Sequence, residues 1–319
     1  MANIAQVSRL SGAGQGLLSI MIEQNPILRV AEFKLDPSTY QNYPDSLASS
    51  GSAARGEGDA IQSDAQAPIG VSKNLALYGR QITIDDVRKL DQNITGSPTG
   101  LKLIRQRRQR SLAKLLATEV CDDMTAGTDA NDRMLGLTTL IKDANAAGQT
   151  AALGFTTAQQ AAMLTQAAMT LDTDAHQNDF MELLDKEIQK VPGANALLMN
   201  GNLWARMNTI ARRLHSLGQS IDQFGVPVAT YNNIPMIPVT TTGIPSTEDD
   251  GVAQTNTSLY IVRFAEDLGT AFSTNSGFYF QDFPDDDVNP DAKSRLQFFL
   301  NLAVDATDAV RRLSRIKLA

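Results

Sequence analysis

The sequence predicts an α+β fold, and three observations carry that prediction. One long helix is written between Ser97 and Thr125. The strand patterns gather mainly in the last third of the chain and do not alternate with helices as βαβ units would. A polar stretch, Asp36–Gly70, is entered and left on strand-like runs. No internal repeat is present.

Residues 1–16 are small and polar, and Gly12, Gly14 and Gly16 make the segment pliable. Leu17–Gln24 reads as a short apolar helix that stops before Pro26, because the residue preceding proline avoids the helical region. Ile27–Leu35 then reads as a strand. Asp36–Gly70 holds few large apolar side chains, and its centre is SSGSAARGEGDAIQSDAQ. A structureless stretch of this length is uncommon inside a compact domain. With Val71–Tyr78 leaving as a second strand, the segment reads as a long hairpin arm that needs a neighbouring molecule. A simple disordered loop is the alternative. Thr83 is placed to cap a short helix over Ile84–Gln92, with Asp86 as a capping-box-like partner.

The long helix opens on a good N-cap, Ser97, with Pro98 in its first turn, and closes at Gly127. At 1.5 Å per residue it spans about 40 Å. Leu101, Ile104, Leu112, Leu115, Leu116 and Val120 follow helical spacing. Between them Arg105–Ser111 reads RQRRQRS, two turns without an apolar face. Three readings stay open for this run: a solvated basic face, ion pairs within or between subunits, or nucleic-acid contact. The last is weakened because no aromatic residues interleave with the arginines.

Three further helices are expected, over Ala158–Leu171 capped by Thr157, Asp179–Val191 capped by Asn178, and Asn202–Leu217 closed by Gly218. The pattern then turns to strands. Val226–Tyr231 and Ile234–Val239 flank Asn232–Asn233, a two-residue hairpin turn suited to positive φ. Leu259–Phe264, Thr270–Ser273 and Phe278–Phe283 follow. Leu296, Phe298, Leu300, Leu302 and Val304 keep strict period two. A basic segment, Arg311–Leu318, closes the chain.

Composition bounds the chemistry. The 319 residues include one cysteine and two histidines, and the net charge is −7. Cys121 alone excludes an intramolecular disulfide or a cysteine-built zinc site. It reads as a buried small apolar residue. No run approaches 18 apolar residues, and no secretory signal is evident. These features suit a soluble chain made in a cytoplasm. The whole molecule is not a basic nucleic-acid binder. Arginines outnumber lysines 18 to 10, which favours bidentate ion pairs. Gly12 and Gly14 begin a dinucleotide-like pattern, but Leu17 breaks it and no strand precedes it. Asp285, Asp287 and Asn289 begin a calcium-loop pattern that fails at Pro290 and Leu296. Asp172, Asp174 and His176 resemble a metal cluster but read more simply as caps and turn formers. His215 falls at a helix end, where it suits the dipole. Glu248–Asp250 read as a solvated tip. No residue set forms an active site, so no catalytic, metal or cofactor residues are expected, and the chain is not expected to be an enzyme.

The order of these parts resembles the major capsid protein of tailed double-stranded DNA bacteriophages, a fold shared with encapsulin nanocompartments and the herpesvirus capsid floor. The residues that carry the resemblance are Ser97–Thr125, similar to the spine helix; DRMLGLTTLI at 132–141; the stretch Ala196–Val239; and above all Tyr231–Pro235. The resemblance implies an N-terminal arm (1–26) and an extended loop (27–82). It implies a peripheral domain (83–130 and 275–319) and an axial domain (131–274). It also implies self-assembly as hexamers and pentamers into an icosahedral virion shell around double-stranded DNA, without sequence-specific binding or a membrane. Synthesis would be in a host bacterial cytoplasm. Portal and scaffolding proteins are implied partners, and a decoration protein is a further candidate. The short arm before the loop favours a separate scaffold, or none, over a cleaved scaffolding region. On this reading Arg55, Glu57, Asp59 and Lys73 of the loop, with Arg105, Arg107, Arg108 and Arg110 of the spine, are candidate subunit-interface residues. Lys34 and Lys73 match no covalent crosslinking pattern. Two alternatives stand beside this reading: an encapsulin-type shell holding cargo enzymes, and a hydrolytic enzyme using the 172–179 cluster.

Overall fold

Five side chains at alternate positions, Leu296, Phe298, Leu300, Leu302 and Val304, are all fully buried in the computed structural model of the chain. A strand whose one face is wholly apolar must lie against a second layer, and here that layer is the long helix. The structure describes residues 18–23, 25–35, 39–42, 71–84, 98–128, 133–142, 153–214, 216–221, 225–247, 256–283 and 292–318.

In chain order the elements are α1 (18–23), α2 (Ile27–Val30), β1 (Phe33–Leu35), β2 (Thr39–Asn42), β3 (Val71–Asn74), β4 (Ala76–Ile84), α3 (Pro98–Ala126) and α4 (Leu137–Leu140). They continue as α5 (Thr157–Ala162), β5 (Leu164–Thr170), α6 (Asp174–Gln189), β6 (Ala196–Asn200), α7 (Gly201–Arg213), β7 (Leu217–Ile221) and β8 (Pro227–Tyr231). The last are β9 (Ile234–Val239), β10 (Asn256–Val262), β11 (Thr270–Phe283), β12 (Ala292–Val304) and β13 (Val310–Lys317).

Two main sheets organise the chain. A four-stranded sheet runs β1-β11-β12-β4, and its central pair is antiparallel from Thr270↔Val304 to Phe283↔Lys293. A seven-stranded sheet runs β5-β13-β10-β6-β9-β8-β7. The helix α3 packs on the first sheet through Ala113, Leu116, Ala117, Val120, Cys121 and Met124, all buried. That spacing is one helical stripe. A second cluster fills the far part of the seven-stranded sheet, with Phe180 and Leu184 of α6 and Leu203, Met207 and Ile210 of α7 against Leu197, Met199, Leu259 and Ile261.

Several expected elements differ, each for a local or tertiary reason. Ile27–Leu35 is not one strand. Asn25 Oδ1 accepts the Ile27 N–H at 3.3 Å and starts a helical turn, so only Phe33–Leu35 is extended. The expected helix from Ile84 gives way at its start, because Thr83 and Ile84 pair with Lys293 and Ala292 of β12; residues 85–92 lie outside the described ones. Ala158–Leu171 splits in two. Thr156 and Gln159 form a reciprocal capping box that starts α5, and the chain then extends as β5 beside β13. The next helix starts at Asp174, because Thr173 rather than Asn178 accepts the capping N–H, from His176. The helix after it is capped by Asn200 and ends at Arg213, and Gly218 lies in β7 against Thr230. Leu115 is exposed, since it lies off the buried stripe of α3 that runs through Ala113, Leu116, Ala117, Val120, Cys121 and Met124. Thr270–Ser273 and Phe278–Phe283 are one strand with an irregularity after Thr274. The basic closing segment, expected among the peripheral elements, crosses to the seven-stranded sheet, where Leu313 and Ile316 are buried.

Candidate assembly interface

The cluster that looked most like chemistry is spread over a helix start. Asp172 Oδ1 lies 2.7 Å from His176 Nδ1 and accepts the Thr173 N–H at 2.9 Å. Both side chains are about half exposed, and Asp174 pairs instead with Arg213 of α7. The His176 hydrogen bond holds the Asp172 carboxyl below its usual range, which a surface pair explains without catalysis. Among the described residues no three His, Cys, Asp or Glu side chains gather to hold a metal. Cys121 is buried, and burial pushes its thiol up, the opposite of what a nucleophile needs. His215, Glu248–Asp250, the 285–290 acidic turn and Gly12 and Gly14 lie outside the described residues.

The arm reading rests on one observed pairing. β2 and β3 form an antiparallel ladder from Thr39↔Asn74 to Asn42↔Val71. This pairing closes a stem of the kind found at the base of a hairpin, and residues 43–70, which connect its two strands, lie outside the described ones. Arg55, Glu57 and Asp59 belong to that connection and lie outside the described residues. Lys73 is on the stem, opposite Tyr40. On the helix, Arg107, Arg108 and Arg110 are exposed one after another, and Lys114 continues the basic surface a turn later. Arg105 lies in the same helix, a turn earlier. The stem and the spine thus stand on different elements.

The C-terminal turn of α3 holds a network that pattern reading missed. Tyr78 of β4, buried, donates its hydroxyl to Asp123 Oδ2 at 2.7 Å and accepts the Met134 N–H at 3.1 Å. Arg133 reaches Asp123 Oδ1 at 3.3 Å. Burial, reinforced by the adjacent carboxylate, holds the Tyr78 phenol far above its usual pKa, so it remains a donor. One residue earlier, Asp122 accepts from the Thr240 hydroxyl, and Thr240 Oγ1 accepts the Gly243 N–H at 3.2 Å. Gly127 and Gly136 meet backbone to backbone, with the Gly136 N–H donating to Gly127 O at 2.8 Å. A Cβ on Gly136 would lie 2.4 Å from Gly127 N. The one available signal was two adjacent aspartates in the last turn of a helix, where the dipole disfavours them.

Elsewhere the seven-stranded sheet is stitched by polar side chains. Arg312, buried, donates to Ile141 O at 2.8 Å and to Ser258 Oγ at 3.0 Å, with its guanidinium over the Tyr260 ring. The Asn232–Asn233 turn has positive φ at both residues, as its sequence predicts. Asp185 receives both Tyr231 Oη at 2.7 Å and Asn232 Nδ2 at 2.9 Å, fixing that hairpin to α6. A cleft of about 240 Å³ between α2 and the β7–β9 hairpins is lined by Pro26, Arg29, Val30, Val228, Pro235 and Ile237. Its arginine is already engaged by Ile22 O and Glu23 O.

No known family profile matches the sequence, and no curated protein matches it. Solved structures do match. The holo-SrpI encapsulin complex of Synechococcus elongatus superposes with TM-score 0.54 at 14% identity, covering 91% of this chain and 87% of that one. The capsid of a native GTA particle gives TM-score 0.52 at 14% identity, with 97% and 92% covered. The capsid of the Myoviridae phage XM1 gives 0.51 at 10% identity, with 88% and 86% covered. The chain therefore has the fold of tailed-phage capsid and encapsulin shell subunits, over nearly its whole length.

Proposed function

We propose that this chain is the major capsid protein of a tailed double-stranded DNA bacteriophage, assembling with copies of itself, as hexamers and pentamers, into the icosahedral head. The observation that carries the reading is the likeness in fold to capsid subunits over most of the chain, 97% of it in one case and 88% in the other. The hairpin stem at β2–β3 supports it, because it is the base such an arm needs, and so does the exposed arginine row on α3, because it offers surface to another copy. In this reading 1–26 is the arm, 27–82 contains the extended loop, 83–130 and most of 275–319 form the peripheral region, and 131–274 is largely axial. The candidate contacts are Arg55, Glu57, Asp59 and Lys73 with Arg105, Arg107, Arg108 and Arg110. The role is structural rather than enzymatic, the site of action is the virion, and synthesis is in the host bacterial cytoplasm. Portal, scaffold and decoration proteins are further partners of this reading.

A second reading, an encapsulin-type shell around cargo enzymes, is favoured by the match to the encapsulin complex. Electron microscopy of the purified protein, with analysis of what copurifies, separates them. Icosahedral shells without a dominant enzyme support the capsid. One abundant copurifying enzyme supports the compartment. A compact monomer at all salt and protein concentrations refutes both. Deleting Ser49–Asp59 is expected to leave a soluble subunit that forms few or no shells, and normal shells from that deletion would remove the arm from the account.

A further inference from the structure

The last turn of α3 touches two different parts of the molecule through neighbouring residues. Asp123 faces Tyr78 of the four-stranded sheet and Arg133. Asp122 faces the turn that follows β9, through Thr240 and Gly243. That turn is seated closely. A Cβ on Gly243 would lie 2.4 Å from Thr125 Oγ1 and 3.2 Å from Asp122 Oδ1. The helix therefore ends as a joint between the two sheets.

We propose that Asp122 is an ionisation-sensitive latch at this joint, which seats the 239–244 turn on α3 more firmly when it is protonated than when it is charged. The geometry gives three reasons. Asp122 is partly buried by the docked turn, which disfavours its charge. It stands at the C-terminal end of a helix, where the dipole is negative and the last turn carries no basic residue. Among the described residues, the charged groups that act on it from α3 are Glu119 and Asp123, both acidic, while the docked turn brings the Thr240 hydroxyl, which donates to it, and the Gly243 amide, which donates to Thr240 Oγ1. Arg133 pairs with the neighbouring Asp123. Burial, with those two carboxylates, pushes the Asp122 carboxyl above its usual range, and the Thr240 hydrogen bond offsets this only in part. The docked state thus binds a proton more tightly than the undocked one. Docking is strongest below the ordinary carboxylate range and weakens as pH rises through the raised value.

The test is hydrogen–deuterium exchange of the full chain, followed by mass spectrometry on peptides spanning 236–247. Rates are corrected for the intrinsic pH dependence of exchange, at acidic and neutral pH. The expected result is greater protection of this peptide at acidic pH in the parent chain. Asp122→Asn, which keeps the acceptor and removes the charge, is expected to hold the acid level of protection at both pH values. Thr240→Val is expected to lose protection at both. Equal protection of the parent at the two pH values, or a pH response that survives in Asp122→Asn, overturns the latch. A peptide spanning 196–200 in β6 reports whether each variant is folded. The readout concerns one subunit's joint, so it stands or falls independently of shell formation.

Discussion

Replacing Tyr78 with phenylalanine removes one oxygen and two hydrogen bonds at the end of α3. The ring stays, so packing against the helix is retained. What is lost is the 2.7 Å donation to Asp123 and the 3.1 Å acceptance from the Met134 N–H. A hydrogen bond to a charged group contributes roughly 1.5–3 kcal/mol, and a buried donor left without a partner costs about 1–3 kcal/mol. Asp123 keeps Arg133, which limits the damage. A loss of about 2–4 kcal/mol is expected from these terms. Urea unfolding of the subunit measures it, with an unchanged slope showing that the folded state has the same extent. The double variant with Asp123→Asn completes a thermodynamic cycle, and a coupling of at least about 1 kcal/mol is expected for residues in direct contact. A Tyr78→Phe cost below about 0.5 kcal/mol, the size of an ordinary surface change, would refute the claim that this network holds the sheet to the helix.

Three further outcomes follow from the same physics. Gly136→Ala is expected to cost about 1–3 kcal/mol or more, as overpacking against a backbone that cannot yield, and to reduce soluble yield; a well-expressed variant with unchanged thermal midpoint would contradict the backbone contact with Gly127. Leu268→Gly is expected to stabilise the chain by about 0.5–1 kcal/mol, because Leu268 has φ of 51° and an exposed side chain, and differential scanning calorimetry would read it as a raised midpoint. The charge reversals Arg107→Glu and Arg108→Glu together are expected to depress assembly most at low salt. The gap from the parent should narrow toward 1 M salt, where the screening length falls to about 3 Å; light scattering across a salt series that shows a constant gap would assign these positions to packing instead.

What the residues alone determined is what depends on near neighbours in the chain. The long helix is bounded by Pro98 and Gly127, the hairpin turn by Asn232 and Asn233, and the central strand by five alternating apolar side chains, and all three stand where the pattern puts them. These elements carry their own caps, turn chemistry and period, so local physics suffices. Tertiary structure alone decided the rest. Leu164–Thr170 is a strand because β13 offers it an edge, although the same stretch reads as the tail of a helix. Thr83 and Ile84 are held by β12, far along the chain, against a good local cap. Leu115 is exposed while Ala113, Leu116, Ala117, Val120, Cys121 and Met124 are buried, since only the one stripe of α3 turned to the sheet is covered and Leu115 lies off it. The joint at Asp122 and Asp123 was invisible for the same reason. Its partners Tyr78 and Thr240 lie 45 and 118 residues away, and only folding brings two unfavourable charges to the place where they act.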